Sequence, residues 1–124
     1  MHNPLLTKSF VAGAAVAAYR IVKQSDDNTV VVGAAATDKL MGISDNLGSV
    51  SGARCEVHLT GAVEVEYGGN VAVGDPLTSD GTGKAVAAAP GAGVNNRIIG
   101  FALVAGAASD IGSCSIAPGV MQGA

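Results

Sequence analysis

The sequence predicts an all-β protein, a small compact barrel-like or sandwich-like domain with an extended N-terminal arm, on three grounds. Short runs rich in Val and Ile recur along the chain, separated by Gly, Gly-Gly, Asp-Gly and Pro, the punctuation of strands and tight turns. Few windows carry the 3.6-residue period of an amphipathic helix. Alternation runs through Arg54-Cys-Glu-Val-His-Leu-Thr60, where side chains two apart share a face. Cys55, Val57 and Leu59 are expected to face a core, and Arg54, Glu56 and His58 the solvent.

The first segment, residues 1–18, is read as an arm and an Ala-rich lead-in. Pro4 disfavours early helix, and Leu5, Leu6 and Phe10 are apolar residues in need of a partner. The run Phe10-Val-Ala-Gly-Ala-Ala-Val-Ala-Ala18 after Lys8 has the outline of a secretory leader, with Ala15-Val16-Ala17 as a cleavage-like triplet. It holds no Leu or Ile, however, and passes directly into the strand-like Tyr19-Arg-Ile-Val-Lys23.

Residues 19–124 are read as one β-rich domain, with strands at 19–23, 29–33, 40–44, 54–60, 62–67, 77–79, 84–88, 98–104 and 113–117. Gln24-Ser-Asp-Asp-Asn28 is a polar turn between the first two. Asp80-Gly-Thr-Gly83 supplies residues that tolerate positive φ between two β-runs, so 76–86 is a hairpin with an exposed tip. A displacement of 58 positions places Gly33 on Gly91, Gly42 on Gly100, Gly48 on Gly106 and Gly61 on Gly119, and Leu40-Met-Gly-Ile43 on Ile98-Ile-Gly-Phe101. That hints at a duplicated β-unit, although 18 glycines make some coincidences inevitable.

A chain of 124 residues suits one domain. Its core must be thin, because there is no Trp and the only aromatics are Phe10, Phe101, Tyr19 and Tyr67. Apolar burial stabilises by about 25 cal/mol per Å², so small side chains leave an isolated subunit marginal, and assembly would add burial. A net charge of −3 with singly scattered Lys and Arg argues against a nucleic-acid partner. No run approaches the roughly 20 apolar residues of a membrane-spanning helix. Cys55 and Cys114 are read as two buried thiols, with one long-range disulfide as the alternative.

Catalytic constellations are not found. The imidazoles are His2, in the arm, and His58. Cys55 and His58 are three apart in a strand and so point to opposite faces, which does not suit a shared metal. Gly81-Thr-Gly-Lys84 resembles the end of a phosphate loop, but that loop needs Gly where Thr78 stands and Ser or Thr where Ala85 stands. Glu64 and Glu66 share a face and are read as a solvated strand surface. No enzyme activity, cofactor or metal is therefore expected. Thr37-Asp-Lys-Leu-Met41 resembles the Asp-Lys tip of lipoyl domains, which would make Lys39 an attachment site on a carrier. A secreted β-rich adhesion module is a further alternative.

Several segments, in order, resemble the phage capsid cement or head decoration protein family. They are Asn3-Pro-Leu-Leu-Thr-Lys-Ser-Phe10 with Tyr19-Arg-Ile-Val22, Leu40-Met-Gly-Ile-Ser-Asp45, and Gly61-x-Val63-x-Val65 running into Gly68-Gly69. Val73-Gly-Asp-Pro-Leu-Thr78 with its Gly83-Lys84 return and Arg97-Ile-Ile-Gly-Phe-Ala-Leu103 complete the series. The resemblance implies a non-enzymatic virion subunit, made in the host bacterial cytoplasm and added to the capsid exterior. It further implies a homotrimer at three-fold or quasi-three-fold positions that bridges copies of the major capsid protein. Leu5, Leu6 and Phe10 are the expected capsid-binding anchors, with Phe10 as a plug of the domain's own core the alternative reading for that residue.

Overall fold

The computed structural model describes residues 3–123; Met1, His2 and Ala124 lie outside them, and with them one of the two imidazoles. The described residues form nine strands and no helix: β1 (Asn3–Ala12), β2 (Ile21–Asp26), β3 (Thr29–Val32), β4 (Leu40–Ser44), β5 (Arg54–Glu66), β6 (Pro76–Ser79), β7 (Ala85–Ala87), β8 (Asn95–Ala102) and β9 (Ile111–Gln122). The all-β class is as the sequence predicts. The two runs expected at 54–60 and 62–67 are joined in the single strand β5, β8 both begins and ends earlier than the expected 98–104, and β9 extends beyond 113–117 at both ends.

The strands make one sheet in the order β1-β3-β2-β4-β5-β9-β8-β6-β7. It curls on itself twice about β5. Antiparallel pairing of β1 with β5, from Asn3 opposite Ala62 to Val11 opposite Arg54, closes the first five strands into a ring. At the other end of β5, a parallel bridge from Tyr67 to Ala85 of β7 brings the last strands round to it. Closure of this kind hides strand edges that would otherwise pair with other chains.

The two rings are copies of one plan. A β1–β3 contact is parallel, as is Tyr67–Ala85. Val16 and Ser49 exchange both backbone hydrogen bonds, as do Val71 and Gly106. The Ala12 N–H donates to the Ala53 carbonyl and the Tyr67 N–H to that of Asp110; the Gly13 N–H donates to Val30 and the Gly68 N–H to Ala85. The duplication suggested by the sequence therefore exists, with a correction to its register. Gly42 pairs with Val22 as Gly100 pairs with Leu77, so that glycine match holds. Gly33 instead corresponds to Ala88, since their N–H groups donate to the carbonyls of Ile21 and Pro76, and Gly106 corresponds to Ser49. One fixed displacement fails because β8 starts earlier than β4, with residues 95–97 pairing to Val120, Met121 and Gln122 of β9.

Two core clusters correspond, one within the first ring and one centred on the second, the latter also taking in Ile21, Leu40 and Ile43 from β2 and β4. Phe10, Ala12, Val16, Val22, Val30, Cys55 and Val57 cluster in the first. Val65, Tyr67, Val71, Leu77, Ala85 and Cys114 occupy the matching places in the second, where Gly112 stands in place of Cys55. The one large ring changes position: Phe10 fills the first core, and Tyr67, at the place of Ala12, fills the second. Scarce aromatics thus supply one bulky plug per ring.

The same comparison exposes local strain. Tyr19 and Ser109 have positive φ (60° and 73°), and their counterparts Gly74 and Gly52 take 86° and 83° at no steric cost. A side chain there costs about 1–2 kcal/mol, partly offset by the extra freedom glycine gives the unfolded chain. Ser109→Gly keeps the N–H bond to the Tyr67 carbonyl and is expected to raise the unfolding free energy by about 0.5–1 kcal/mol. Urea denaturation checks this, and a decrease would show that the serine side chain stabilises the turn.

Candidate functional site

The sequence-predicted anchors separate. β1 lies along β5, and among the described residues its outer side pairs with another strand only at Val11 and Ala12, opposite Thr29 and Val30 of β3. On the stretch before that, Leu5 is 77% exposed and Leu6 51%. Phe10 is 5% exposed and packed in the first core, with the Lys8 ammonium 4.6 Å from its ring centroid. Alternation along β1 cannot place three residues at positions 5, 6 and 10 on one face, and the core claims the largest. The described part of the arm therefore presents Leu5 and Leu6 beside a free strand edge.

His58 departs from the expectation of a solvated face. It is 6% exposed, because β1 and β4 flank it on both sides, opposite Thr7 and Ile43. The Thr7 hydroxyl lies 2.8 Å from its Nδ1, a contact between positions 51 apart that ties β1 to β5. The outer neighbour that covers His58 cannot be seen in the strand's own alternation.

Glu66 departs likewise. Its carboxylate meets the Arg20 guanidinium at 3.4 Å and the Lys84 ammonium at 3.2 Å, with all three side chains 18–26% exposed. Arg20 also donates to the Thr82 carbonyl, and the Ile21 N–H donates to that of Gly83. The tip of the β6–β7 hairpin, Gly81 and Thr82, is exposed as expected, while its return is docked on the start of β2, with Gly83 buried. Asp80 shapes it by accepting from the N–H groups of Thr82 and Lys84, so the phosphate-loop likeness resolves into a turn. This contact joins the first ring to the second.

Both cysteines are free and buried. Burial pushes the Cys55 thiol up from its ordinary value and the Cys114 thiol up to about 12, so both stay protonated and neither is a nucleophile at neutral pH. Among the described residues no group of three His, Cys, Asp or Glu side chains is placed to hold a metal, and no pocket is present.

Lys39 is exposed in the connection between β3 and β4. Those strands pair with β2 and not with each other, so Lys39 is not at the hairpin tip that a lipoyl attachment site requires. Its neighbour Asp38 organises the connection. The Lys23 ammonium donates to it at 2.9 Å, and the N–H groups of Ala34 and Ala35 add two more bonds. The Lys23 bond first, then the Ala34 N–H, hold the Asp38 carboxyl below its ordinary value. A depressed folded-state pKa stabilises the fold fully above the unfolded carboxylate value of about 3.9, and the gain is lost as pH falls through the folded value. Stability is expected to fall on acidification from pH 6 to pH 3, and Asp38→Asn to fall less. Parallel slopes in urea melts at the two pH values would contradict this.

The described arm thus leaves Leu5 and Leu6 exposed beside the outer edge of β1, and comparison with known proteins gives the family and the fold. The family model described as phage cement protein matches residues 2–116. A solved structure, the head fiber gp8.5 N base in bacteriophage phi29, is similar in fold with a TM-score of 0.68. It is 21% identical, and the match covers 90% of this chain and 93% of that one. No curated protein matches. With the family matched over nearly its whole length, the chain belongs to the phage cement proteins.

Proposed function

We propose that this chain is a capsid decoration subunit that binds the outer surface of a phage head, bridges major capsid protein subunits and stabilises the shell. The observation that carries the reading beyond the family is the free outer edge of β1 with Leu5 and Leu6 exposed beside it. An unpaired edge can accept or add a strand, with main-chain hydrogen bonds giving affinity and alternate side chains giving register. Leu5 and Leu6 are the anchors in this reading, and Phe10 serves the core. A homotrimer at three-fold or quasi-three-fold positions would engage several shell subunits at once, so modest contacts add through avidity. The subunit is then made in the host cytoplasm and resides on the virion exterior.

The test mixes the purified protein with expanded, undecorated heads of its phage. Saturable binding that raises the temperature at which heads rupture is the expected result, and absence of binding sinks the proposal. Leu5→Ser with Leu6→Ser is expected to weaken binding at least tenfold without lowering the protein's own melting temperature. Point substitutions are preferred to deleting residues 1–10, because such a deletion removes Phe10 from the core and β1 from β5.

A further inference from the structure

The duplicated plan points to a second binding feature, present twice. Ser49 and Gly106 occupy matching places, each exchanging hydrogen bonds with a valine of the partner loop. Two residues before them stand Leu47 and Val104, 82% and 39% exposed. The loop between β4 and β5 and the loop between β8 and β9 thus hold an aliphatic side chain at the same structural position, the first largely and the second partly exposed. A second apolar side chain is exposed in each loop pair, Val50 (71%) in the first and Val73 (68%) in the second.

These loops are held, while Leu47 stands almost wholly exposed and Val104 partly so. The Leu47 N–H donates to the Asp45 carboxylate at 3.0 Å. The Val104 carbonyl accepts from the Tyr67 hydroxyl at 2.6 Å, and that hydroxyl belongs to the fully buried plug of the second core. Aliphatic side chains on a pre-set backbone cost little ordering to bury, which is what binding anchors need.

We infer that Leu47 and Val104 are twin anchors by which one chain grips the same apolar recess on two neighbouring copies of the shell protein. Two anchors built on one plan fit a partner that presents one site repeatedly, and a lattice of identical subunits does so. The inference rests on the proposed attachment to a phage head and names the surface that spans neighbours there. Simultaneous engagement makes each anchor raise the effective concentration of the other.

The test uses the full chain and undecorated expanded heads. Leu47→Asp and Val104→Asp each put a charge where burial is required. Each is expected to weaken binding at least tenfold, and the pair together to abolish saturable binding. Val120→Asp, exposed to 57% outside these loops, is expected to bind as the parent does. Melting temperatures are followed throughout, and Leu47→Ser and Val104→Ser replace any aspartate variant that unfolds. If both variants bind like the parent, or only one differs, the twin-anchor inference is overturned while the decoration role stands. If the parent itself does not bind, the decoration role fails first and the inference with it.

Discussion

Tyr67→Ala is expected to remove about 3–5 kcal/mol of stability, the usual cost of deleting a buried aromatic ring. Tyr67 is the largest fully buried side chain of the second core, and its hydroxyl also satisfies the Val104 carbonyl. Tyr67→Phe isolates that bond and is expected to cost about 0.5–1.5 kcal/mol, the net worth of one hydrogen bond to a part-buried acceptor. The ring owes its place to Gly112, where a Cβ would collide with the hydroxyl end of the tyrosine ring. Gly112→Ala alone is therefore expected to cost about 1–3 kcal/mol through overpacking. In the Tyr67→Ala background the same methyl has room, so its cost should vanish. Urea melts of the four proteins measure this coupling, and additive losses would show that ring and glycine do not compete for the same space.

Glu66→Ala is expected to cost about 2 kcal/mol, between the near-zero worth of an exposed pair and the 3–5 kcal/mol lost on breaking a buried one. The intermediate figure follows from side chains that are 18–26% exposed. Removal leaves the Arg20 and Lys84 charges facing one another at the junction of the two rings. Glu66→Gln, which keeps an acceptor, should lose less, and high salt should narrow the gap between parent and Glu66→Ala. A loss below about 0.5 kcal/mol would make the triad ornamental. A second, earlier unfolding transition in Glu66→Ala would show that the clamp couples the rings.

Much of the fold was legible because local rules and tertiary demands coincide. Strand 40–44 appears where expected, as β4, because Leu40, Gly42, Ile43 and Ser44 are all buried there. The Asp80-Gly81 turn is set by a carboxylate that accepts from its own neighbours, a bond that needs no distant partner. Cys55 and Val57 face a core as alternation requires. His58 departs for the complementary reason: alternation gives the face on which a side chain stands but not which strands flank it, and β1 comes alongside from 51 positions away. Glu66 likewise looks like a solvated carboxylate until Arg20 and Lys84 converge on it.

The anchors show the same division. Three apolar residues in the arm each need a partner, but only packing decides which of them the domain keeps for itself. Leu47 and Val104 carried no signal in the sequence, since a lone aliphatic residue in a glycine-rich loop is unremarkable. They become a pair only when backbone bonds show that two loops share one plan.

By itself, then, the sequence determined the all-β class, the family and the local turns, because alternation, Gly and Asp placement and ordered motifs act over a few residues. Only the tertiary structure decided that the sheet closes into two matching rings about β5, that Phe10 and Tyr67 plug them, and which apolar side chains remain outside. Those outcomes depend on contacts between distant segments, whose register and competition for space no short stretch of chain specifies.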